Sequence, residues 1–372
     1  MRIVHLIPQL RFGAGRYVVD LAARQAHASG GDGVLVLVSA DAEPPYQSDQ
    51  RLVAELRGLG VRVAIAGDFF HRTVRGLRDG ARQISGTAGI GEPWLAHAHT
   101  AMAAAVARIA GAHAVVGTCH GVAQGRPEAV DLQDALAWQV CDAVTSPSRH
   151  WAARLTDGFA VEHPIVMPYG LDLATYPRRE RQMRAASQTI RLIAVAEQTR
   201  RKGLDVLIEA MPTVWRRQPG VECHFFGEGD ESDNLRAQAA RVGGAGARFV
   251  FHGHQPRPYD RLGEFDLFVL PTRSDNQPIA AIEAMLAGLP AVVTDVGGLG
   301  ELVRDGACGW VVPSDDPAAL AGAIAEAVAA DPTARAALGA SGEAFARRQF
   351  DVDSAVAAMQ AVYERVWRAR RV

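Results

Sequence analysis

Residues 275–298, DNQPIAAIEAMLAGLPAVVTDVGG, decide the fold of this chain of 372 residues. The stretch begins with a polar loop and continues as an apolar helical segment. It then turns at Gly-Leu-Pro and ends in a short apolar strand followed by two glycines. A loop, a helix and a buried strand in this order are typical of a parallel sheet covered by helices on both faces. The stretch therefore predicts a doubly wound α/β domain.

The same rhythm repeats on both sides of this stretch. Short apolar strands such as RIVHLIP, VLVLVSA and PWLAHAHT alternate with helix-length segments in the first half, and IRLIAVAE restarts the pattern in the second. Two Rossmann-like domains of this kind are expected to face each other across a cleft that binds ligands. The predicted organisation is an N-terminal domain over 1–172, an arginine-rich linker over 173–189, a C-terminal domain over 190–351, and a last helix over 352–372 that packs back across the domains.

Composition limits the classes of function. Apolar residues make up 48% of the chain and charged residues 22%, which is typical of a globular protein. The net charge of −2 argues against nucleic acid as a partner. The four cysteines form no C-x-x-C pair, so neither a zinc knuckle nor a disulfide framework is indicated. The scattered cysteines favour a reducing cytoplasm as the expected location. No apolar stretch has membrane-spanning length, so a protein that does not span a membrane is expected.

Lys202, in RRKGLDVLIEA, is the only lysine among 39 lysine and arginine residues. Chance is one explanation. The other is chemical, because an ammonium is a compact point charge that fits a tight phosphate pocket from which a planar guanidinium would be excluded. The position of Lys202, after a predicted strand and before a helix, is suited to binding phosphate.

Several turns, taken in chain order, resemble those of the retaining glycosyltransferases of the GT-B fold, family 4 (glycosyltransferase group 1). The resemblance covers nearly the whole chain and rests on FGAGRYVVDLA, LAHAHT, VVGTCHG, PYGLD, RRKGLDVLIEA, FFGEGDE, FVFHG and the opening stretch. It implies transfer of a sugar from a nucleotide-diphosphate donor to a hydroxyl acceptor, without a metal ion or a cofactor. On family frequency a UDP-sugar is the favoured donor and GDP-mannose the next.

Asp275 and Glu283 stand eight positions apart, in a D-x7-E version of the family's paired acids. A helix that begins near Ile279 would aim its amides at a diphosphate. The resemblance assigns Glu283 to the ribose and Asp275 to the transferred sugar. The alternative is that Asp275 caps the helix and Glu283 decorates its first turn. The predicted donor-binding residues are Gly13, Arg201, Lys202, Asp275, Asn276, Gln277, Ile279, Ala280 and Glu283.

His120 follows the strand AVVGTC, and the resemblance implies that it reaches the donor sugar near the bond that breaks. His120, Lys202 and Asp275 are therefore the predicted catalytic residues. A structural role is the alternative for His120, and it is the role expected of His97 and His99. Gly13 matches the glycine that lets the backbone approach the donor phosphate.

Three positions depart from the family pattern. Glu197 stands where a second phosphate-binding arginine is usual, and Gly15 replaces an acid of the first turn. Pro278 lacks the amide hydrogen that a glycine would offer to the donor. These departures motivate one rival hypothesis, a catalytically silent partner subunit that binds nucleotide sugars. The other rival is a different enzyme of the same fold, a nucleotide-sugar epimerase.

The segment DFFHRTVRGLRDGARQIS places Arg72, Arg75, Arg78 and Arg82 on one helical face, after Phe69 and Phe70. A solvated helix explains the pattern. The alternative is peripheral attachment to anionic lipid, which would bring the enzyme to a lipid-linked acceptor.

Overall fold

The structure is a computed structural model that describes residues 1–29, 33–39, 48–66, 73–87, 92–121, 126–178, 189–243 and 248–370. The chain divides into two compact units. Unit 1 comprises Met1–Asp172 and Phe350–Val372, and unit 2 comprises Leu173–Gln349. Each unit is built on one parallel sheet, so the predicted α/β class with two Rossmann-like sheets is confirmed.

The strands of unit 1 are all fully or largely buried except at the sheet edges, as expected for a parallel sheet with helices on both faces. They are β1 (Arg2–Ile7), β2 (Val34–Val38), β3 (Arg62–Ile65), β4 (Trp94–Ala98), β5 (Ala114–Thr118), β6 (Ala143–Ser146) and β7 (Ile165–Val166). Their order in the sheet is β3-β2-β1-β4-β5-β6-β7. The order reverses between β1 and β4, and sheets of this type bind ligands beside such a switch point.

The helices of the first part of unit 1 alternate with these strands. They are α1 (Phe12–Ala28), α2 (Gln50–Gly58), α3 (Val74–Thr87), α4 (Ala101–Ile109), α5 (Glu128–Trp138) and α6 (Arg149–Phe159). Val4 and Leu6 of β1 pack in one apolar cluster with residues of α3 and α4. His5 lies between them in the strand, so its side chain points to the opposite face, and it is in register with His97 of β4.

Unit 2 repeats the plan with the sheet order β10-β9-β8-β11-β12-β13. Its strands are β8 (Ile190–Val195), β9 (Val221–Phe226), β10 (Phe249–Phe251), β11 (Leu267–Leu270), β12 (Ala291–Thr294) and β13 (Gly309–Val312). Its helices are α7 (Leu204–Arg217), α8 (Ser232–Gly243), α9 (Tyr259–Leu262), α10 (Ile279–Leu286), α11 (Leu299–Asp305), α12 (Pro317–Ala329) and α13 (Pro332–Gln349).

The last helix, α14 (Val352–Ala369), belongs to unit 1. The chain re-enters that unit where the Leu171 amide donates to the Phe350 carbonyl at 2.8 Å. Gly170 is needed beside this contact, because a Cβ there would lie 2.6 Å from the Cβ of Ala355. The return to unit 1 therefore begins at Phe350, slightly before the predicted boundary at 351.

The start of the predicted linker, 173–178, is part of unit 2 rather than an exposed connection. Tyr176 is buried, and its ring meets that of Tyr259 at a centroid distance of 4.9 Å. The Tyr259 hydroxyl donates to the Pro177 carbonyl at 2.5 Å. The sequence pattern missed these contacts because a single buried tyrosine, followed by a proline and two arginines, carries no periodicity. Residues 179–188 of the predicted linker lie outside the described residues.

Candidate active site

Two loops meet at the carboxyl edge of the unit 2 sheet, one after β8 and one after β11. Gly203 ends the first loop at a φ of 66°, and a Cβ there would lie 2.0 Å from the Pro271 carbonyl oxygen. A side chain at that position would collide with the backbone. The Thr272 hydroxyl and the Arg273 amide both donate to the Arg201 carbonyl, at 3.1 and 2.8 Å. The two loops are therefore held together over several residues.

This contact brings Lys202 against Asp275, 73 residues further along the chain. The Lys202 Nζ donates to Asp275 Oδ2 at 2.5 Å, and the two side chains are only 13% and 15% exposed. Arg201 Nη1 lies 3.8 Å from the same carboxylate oxygen and donates to the Ser274 carbonyl at 2.9 Å. Two cations thus converge on one carboxylate, and two of the three predicted catalytic residues lie in direct contact.

α10 begins close to this ion pair. Ile279 is its first residue, as predicted, and Pro278 occupies the N-cap position, where it offers no side-chain hydrogen bond. The Asp275 Oδ1 accepts from the Asn276 amide at 3.1 Å. The N-cap is therefore the proline, and Asp275 lies in the preceding loop, where its carboxylate pairs with Lys202.

Asn276 and Gln277, both predicted to bind the donor, are buried. The Asn276 carbonyl accepts from the Gly298 amide at 2.7 Å. The backbone of Gly297, at a φ of 54°, lies close to the backbone of Asp275. A Cβ on Gly297 would be only 1.8 Å from the Asp275 carbonyl oxygen. The loop after β12 thus supports the Asp275 loop from one side. Contact of these residues with a donor, and that of the buried Ile279 and the partly exposed Ala280, stays a prediction.

Glu283 lies one turn inside α10 and is partly buried. Its Oε1 accepts from the Tyr176 hydroxyl at 3.3 Å. This contact explains why an acid is tolerated in an otherwise apolar helix, because its charge meets a hydrogen-bond donor. Tyr176 was not identified from the sequence, where it belongs to the predicted linker.

The structure gives a physical reason for the departure at Gly15. A Cβ on this glycine would lie 2.9 Å from the backbone carbon of Leu10 and 3.0 Å from Cδ1 of Leu52. α1 therefore packs too closely here for an acidic side chain. Gly13 lies two residues earlier, in the first turn of α1, and is partly exposed. Glu197 is a partly buried residue just after β8.

His120 follows β5 at the carboxyl edge of the unit 1 sheet and is partly buried. Its Nε2 lies 2.9 Å from Nδ1 of His99, and its Nδ1 lies 2.7 Å from the Tyr169 hydroxyl. Both ring nitrogens are therefore engaged. A sugar hydroxyl that binds His120 must replace one of these two partners.

A continuous set of hydrogen bonds extends from His120 into the interior of unit 1. The set joins four histidines to residues of α1, α14, β5 and β6. Of its members, only His97, His99 and His120 had been named from the sequence. In order along the hydrogen bonds, the members are Tyr169, His120, His99, His5, Gln25, Tyr363, His97, Thr118 and Thr145.

The histidines of this set are neutral at physiological pH. Burial lowers the pKa of His5 and of His120 to about 4, because the charged ring would lose its hydration. The same desolvation holds the pKa of His97 and His99 well below the usual value for histidine. A neutral imidazole has one donor and one acceptor nitrogen, so each ring can take part in two hydrogen bonds.

His5, His97 and His99 also have ring nitrogens within 4.8 Å of one another, a spacing suited to a metal ion. Every one of their six ring nitrogens, however, lies within hydrogen-bond distance of a polar partner. A metal ion would have to break several of these bonds. The arrangement therefore fits a hydrogen-bonded chain better than a metal centre.

The structure describes three of the four arginines that were predicted to share a helical face over 72–82. Arg75 and Arg82 are 88% and 71% exposed on α3, where both lie within 4 Å of Asp79. Arg78 is exposed on the same helix. Arg72, Phe69 and Phe70 lie outside the described residues, so the structure tests only part of this surface.

Profiles of two glycosyltransferase families match successive parts of the chain. Residues 13–175 match Glycosyltransferase Family 4, and residues 189–330 match Glycosyl transferases group 1. The chain belongs to these glycosyltransferases. The first matched segment contains His120, and the second contains the Lys202–Asp275 pair.

Phosphatidyl-myo-inositol mannosyltransferase of Mycobacterium tuberculosis is 31% identical over 230 residues, which are 60% of this chain and 59% of that protein. A GDP-mannose-dependent alpha-(1-6)-phosphatidylinositol monomannoside mannosyltransferase of Mycolicibacterium smegmatis is 28% identical over 289 residues, 71% of this chain and 74% of that protein. Anabaena HepE, crystallised with UDP and glucose, is 22% identical and aligns with a TM-score of 0.77 over 98% of this chain and 99% of its own. The chain thus spans 59% of the length of the mycobacterial relative named first, and the structural similarity confirms the GT-B fold class.

Within the residues that the structure describes, no helix has both the length and the apolar character needed to cross a membrane.

Proposed function

We propose that the protein is a retaining, metal-independent glycosyltransferase that moves a sugar from a nucleotide-diphosphate donor to a hydroxyl acceptor. The observation that carries the proposal is the Lys202–Asp275 pair beside the first turn of α10. A cation and helix-terminal amides together form a site for phosphate, and an adjacent carboxylate can accept from sugar hydroxyls.

In the proposed reaction the bond between the sugar carbon and the diphosphate oxygen breaks while the acceptor hydroxyl attacks from the same face. Because attack and departure take place on the same face, configuration is retained. The acceptor proton passes to the departing phosphate oxygen. Lys202, Arg201 and the amides of α10 stabilise the negative charge that develops on the leaving group.

His120 takes part as a neutral group, because burial lowers its pKa to about 4. We propose that a hydroxyl of the donor sugar displaces the Tyr169 hydroxyl from Nδ1. The ring would then orient the sugar, and it would be unsuited to act as a general acid at neutral pH.

The donor is proposed to be a UDP-sugar, with GDP-mannose as the second candidate. HepE was crystallised with UDP, whereas the Mycolicibacterium relative is named for GDP-mannose. The acceptor is proposed to be a hydroxyl of a bacterial glycan, glycolipid or glycosylated metabolite. Release of nucleotide with an altered sugar and no need of an acceptor would favour the epimerase hypothesis.

Nucleotide binding should separate the roles of the two acids. We expect Glu283→Ala to lose most of the thermal stabilisation that wild type gains from its nucleotide, about 2.7 kcal/mol at a hundred times the Kd. Asp275→Ala should keep that stabilisation or increase it, because its carboxylate competes with phosphate for the Lys202 ammonium, 2.5 Å away. Its turnover should nevertheless fall. The measurements are melting temperature with UDP or GDP and the rate of sugar transfer.

Asp233→Ala is the control for removing a negative charge, because Asp233 is fully exposed on α8. Asp233→Ala should change neither the stabilisation by nucleotide nor the rate of sugar transfer. Equal loss of nucleotide binding in the Glu283 and Asp275 variants would contradict the division of roles. Absence of stabilisation by every nucleotide, together with absence of donor hydrolysis, would contradict the enzyme proposal itself.

We also propose peripheral attachment of α3 to anionic lipid. The exposed Arg75, Arg78 and Arg82 support it, since the charge of Asp79 offsets only part of theirs. Wild type should sediment with anionic vesicles at low salt, and the variant with all three arginines changed to glutamine should not. Arg217→Gln, at an exposed site on α7, is the control. Failure of wild type to sediment at low salt would end the proposal.

A further inference from the structure

The hydrogen bonds that connect Thr145 to His97 have a defined direction. The Thr145 hydroxyl donates to the Gly117 carbonyl at 3.3 Å, and a carbonyl can only accept. The proton between Thr145 and Thr118, 2.7 Å apart, must then come from Thr118. The Thr118 proton is used in the bond to Thr145, so the Thr118 oxygen can only accept from His97. Nε2 of His97 therefore donates to it at 2.7 Å. His97 is neutral, so its Nδ1 is an acceptor.

The direction continues through α14 into α1. The Tyr363 hydroxyl lies 2.6 Å from Nδ1 of His97 and must donate to it. Tyr363 therefore accepts its other bond, which comes from Nε2 of Gln25 at 3.3 Å. The remaining atom of that amide, Oε1, faces Nε2 of His5 at 2.7 Å and accepts from it. The orientation of the Gln25 side-chain amide in the structure is the one required by a series of hydrogen bonds that ends at the Gly117 carbonyl.

The same logic reaches His120. With Nε2 protonated, the neutral His5 accepts at Nδ1 from Nε2 of His99, 3.2 Å away. His99 then accepts at Nδ1 from Nε2 of His120 at 2.9 Å. His120 is left with Nδ1 as an acceptor, which takes the proton of the Tyr169 hydroxyl at 2.7 Å. Starting from the Gly117 carbonyl, the position of every proton in these hydrogen bonds is thus assigned, and no two donors face each other.

We infer that Gln25, His5, His99 and Tyr363 are positioning residues that hold His120 as the neutral Nε2–H tautomer, with Nδ1 presented as an acceptor. The effect on sugar transfer rests on the proposed function, whereas the tautomer itself does not. The inference also gives α14 a role beyond packing, since its Tyr363 is the link between His97 and Gln25. A sugar hydroxyl that donates to His120 would find Nδ1 ready to accept.

The test is the tautomer of His120 in the free protein, observed by ¹⁵N NMR on protein labelled at its 12 histidines. In wild type, Nε2 of His120 should show the signature of a protonated nitrogen and Nδ1 that of an unprotonated one. Gln25→Met keeps the length of the side chain and removes both polar atoms. The hydrogen bonds between His5 and His120 should then no longer be held in one donor-to-acceptor direction. His120 should then populate both tautomers, although it lies three hydrogen bonds away.

Tyr363→Phe is the second variant and removes a single hydroxyl. It frees the Gln25 amide to turn, so we expect the same loss of a single His120 tautomer. Gln139→Met is the matched control, because Gln139 donates to backbone carbonyls of the same unit and is not part of the chain. Its His120 signals should match wild type. If both Gln25→Met and Tyr363→Phe fold and His120 stays in one unchanged tautomer, the inference is overturned.

Kinetics distinguish this inference from the proposed function. We expect kcat to fall by up to about 100-fold in Gln25→Met with KM unchanged, since the ring that orients the sugar is no longer held in one form. An absence of transferase activity in wild type would contradict the proposed function and leave the tautomer result standing. An active wild type whose His120 carries its proton on Nδ1 would contradict only the inference made here.

Discussion

Lys202→Ala should slow sugar transfer by about 100- to 1000-fold, the usual cost of removing one preorganised charge that stabilises a leaving group. The ammonium is only 13% exposed and is held 2.5 Å from Asp275, so its position is set before any donor binds. Arg201 cannot take over this role, because its guanidinium is 44% exposed and bonded to the Ser274 carbonyl. The measurement is kcat for transfer or donor hydrolysis, with folding checked by melting temperature.

Lys202→Arg sharpens this prediction because it keeps the charge. The planar guanidinium is wider than an ammonium, so in this enclosed position it should displace the phosphates and also slow transfer. Arg217→Ala, at the opposite end of α7, removes an exposed positive charge and should leave kcat unchanged. A folded Lys202→Ala enzyme with the wild-type rate would show that Lys202 does not serve the phosphates, and that its place in the chain is accidental.

Acid should unfold unit 1 at a mild pH. His5 and His120 have pKa values of about 4 in the folded protein, against 6.5 when unfolded, and the pKa values of His97 and His99 are also lowered. Below pH 6.5 the unfolded chain therefore binds more protons than the folded one. The stability contributed by these groups is fully present above pH 6.5 and is lost progressively as the pH falls towards 4.

His5 and His120 should each cost about 2 kcal/mol of unfolding free energy between pH 7 and pH 5. These two contributions are a large part of the whole stability of an ordinary domain, about 5–15 kcal/mol, and the lowered pKa values of His97 and His99 act in the same direction. Denaturant unfolding at a series of pH values measures the slope. His5→Gln should reduce the slope by about one proton between pH 5 and 6, whereas His163→Gln, at an exposed site, should not. A stability that stays level from pH 7 to pH 5 would contradict the neutral, buried state of these rings.

Local patterns in the sequence were sufficient to predict the two parallel sheets. The continuous apolar strands predicted two parallel sheets, because only a sheet covered on both faces buries every side chain of a strand. The start of α10 at Ile279 followed from the change of periodicity after Pro278. The roles predicted for Lys202 and Asp275 rest on residue type, on spacing and on the family resemblance, and the comparisons confirm the family.

The remaining features depend on contacts between distant segments, which periodicity does not report. A pattern shows that His97 is buried in a strand, but it does not show which group meets its ring. Tyr363 fills that position from a helix 266 residues later, because the chain returns to unit 1 after completing unit 2. Likewise, Lys202 meets Asp275 only because β8 and β11 are neighbours in the sheet although two strands separate them in sequence. The sequence by itself determined which side chains must be buried and which can carry charge. The tertiary structure alone decided their partners, since burying a polar group requires a donor or acceptor that any part of the chain can supply.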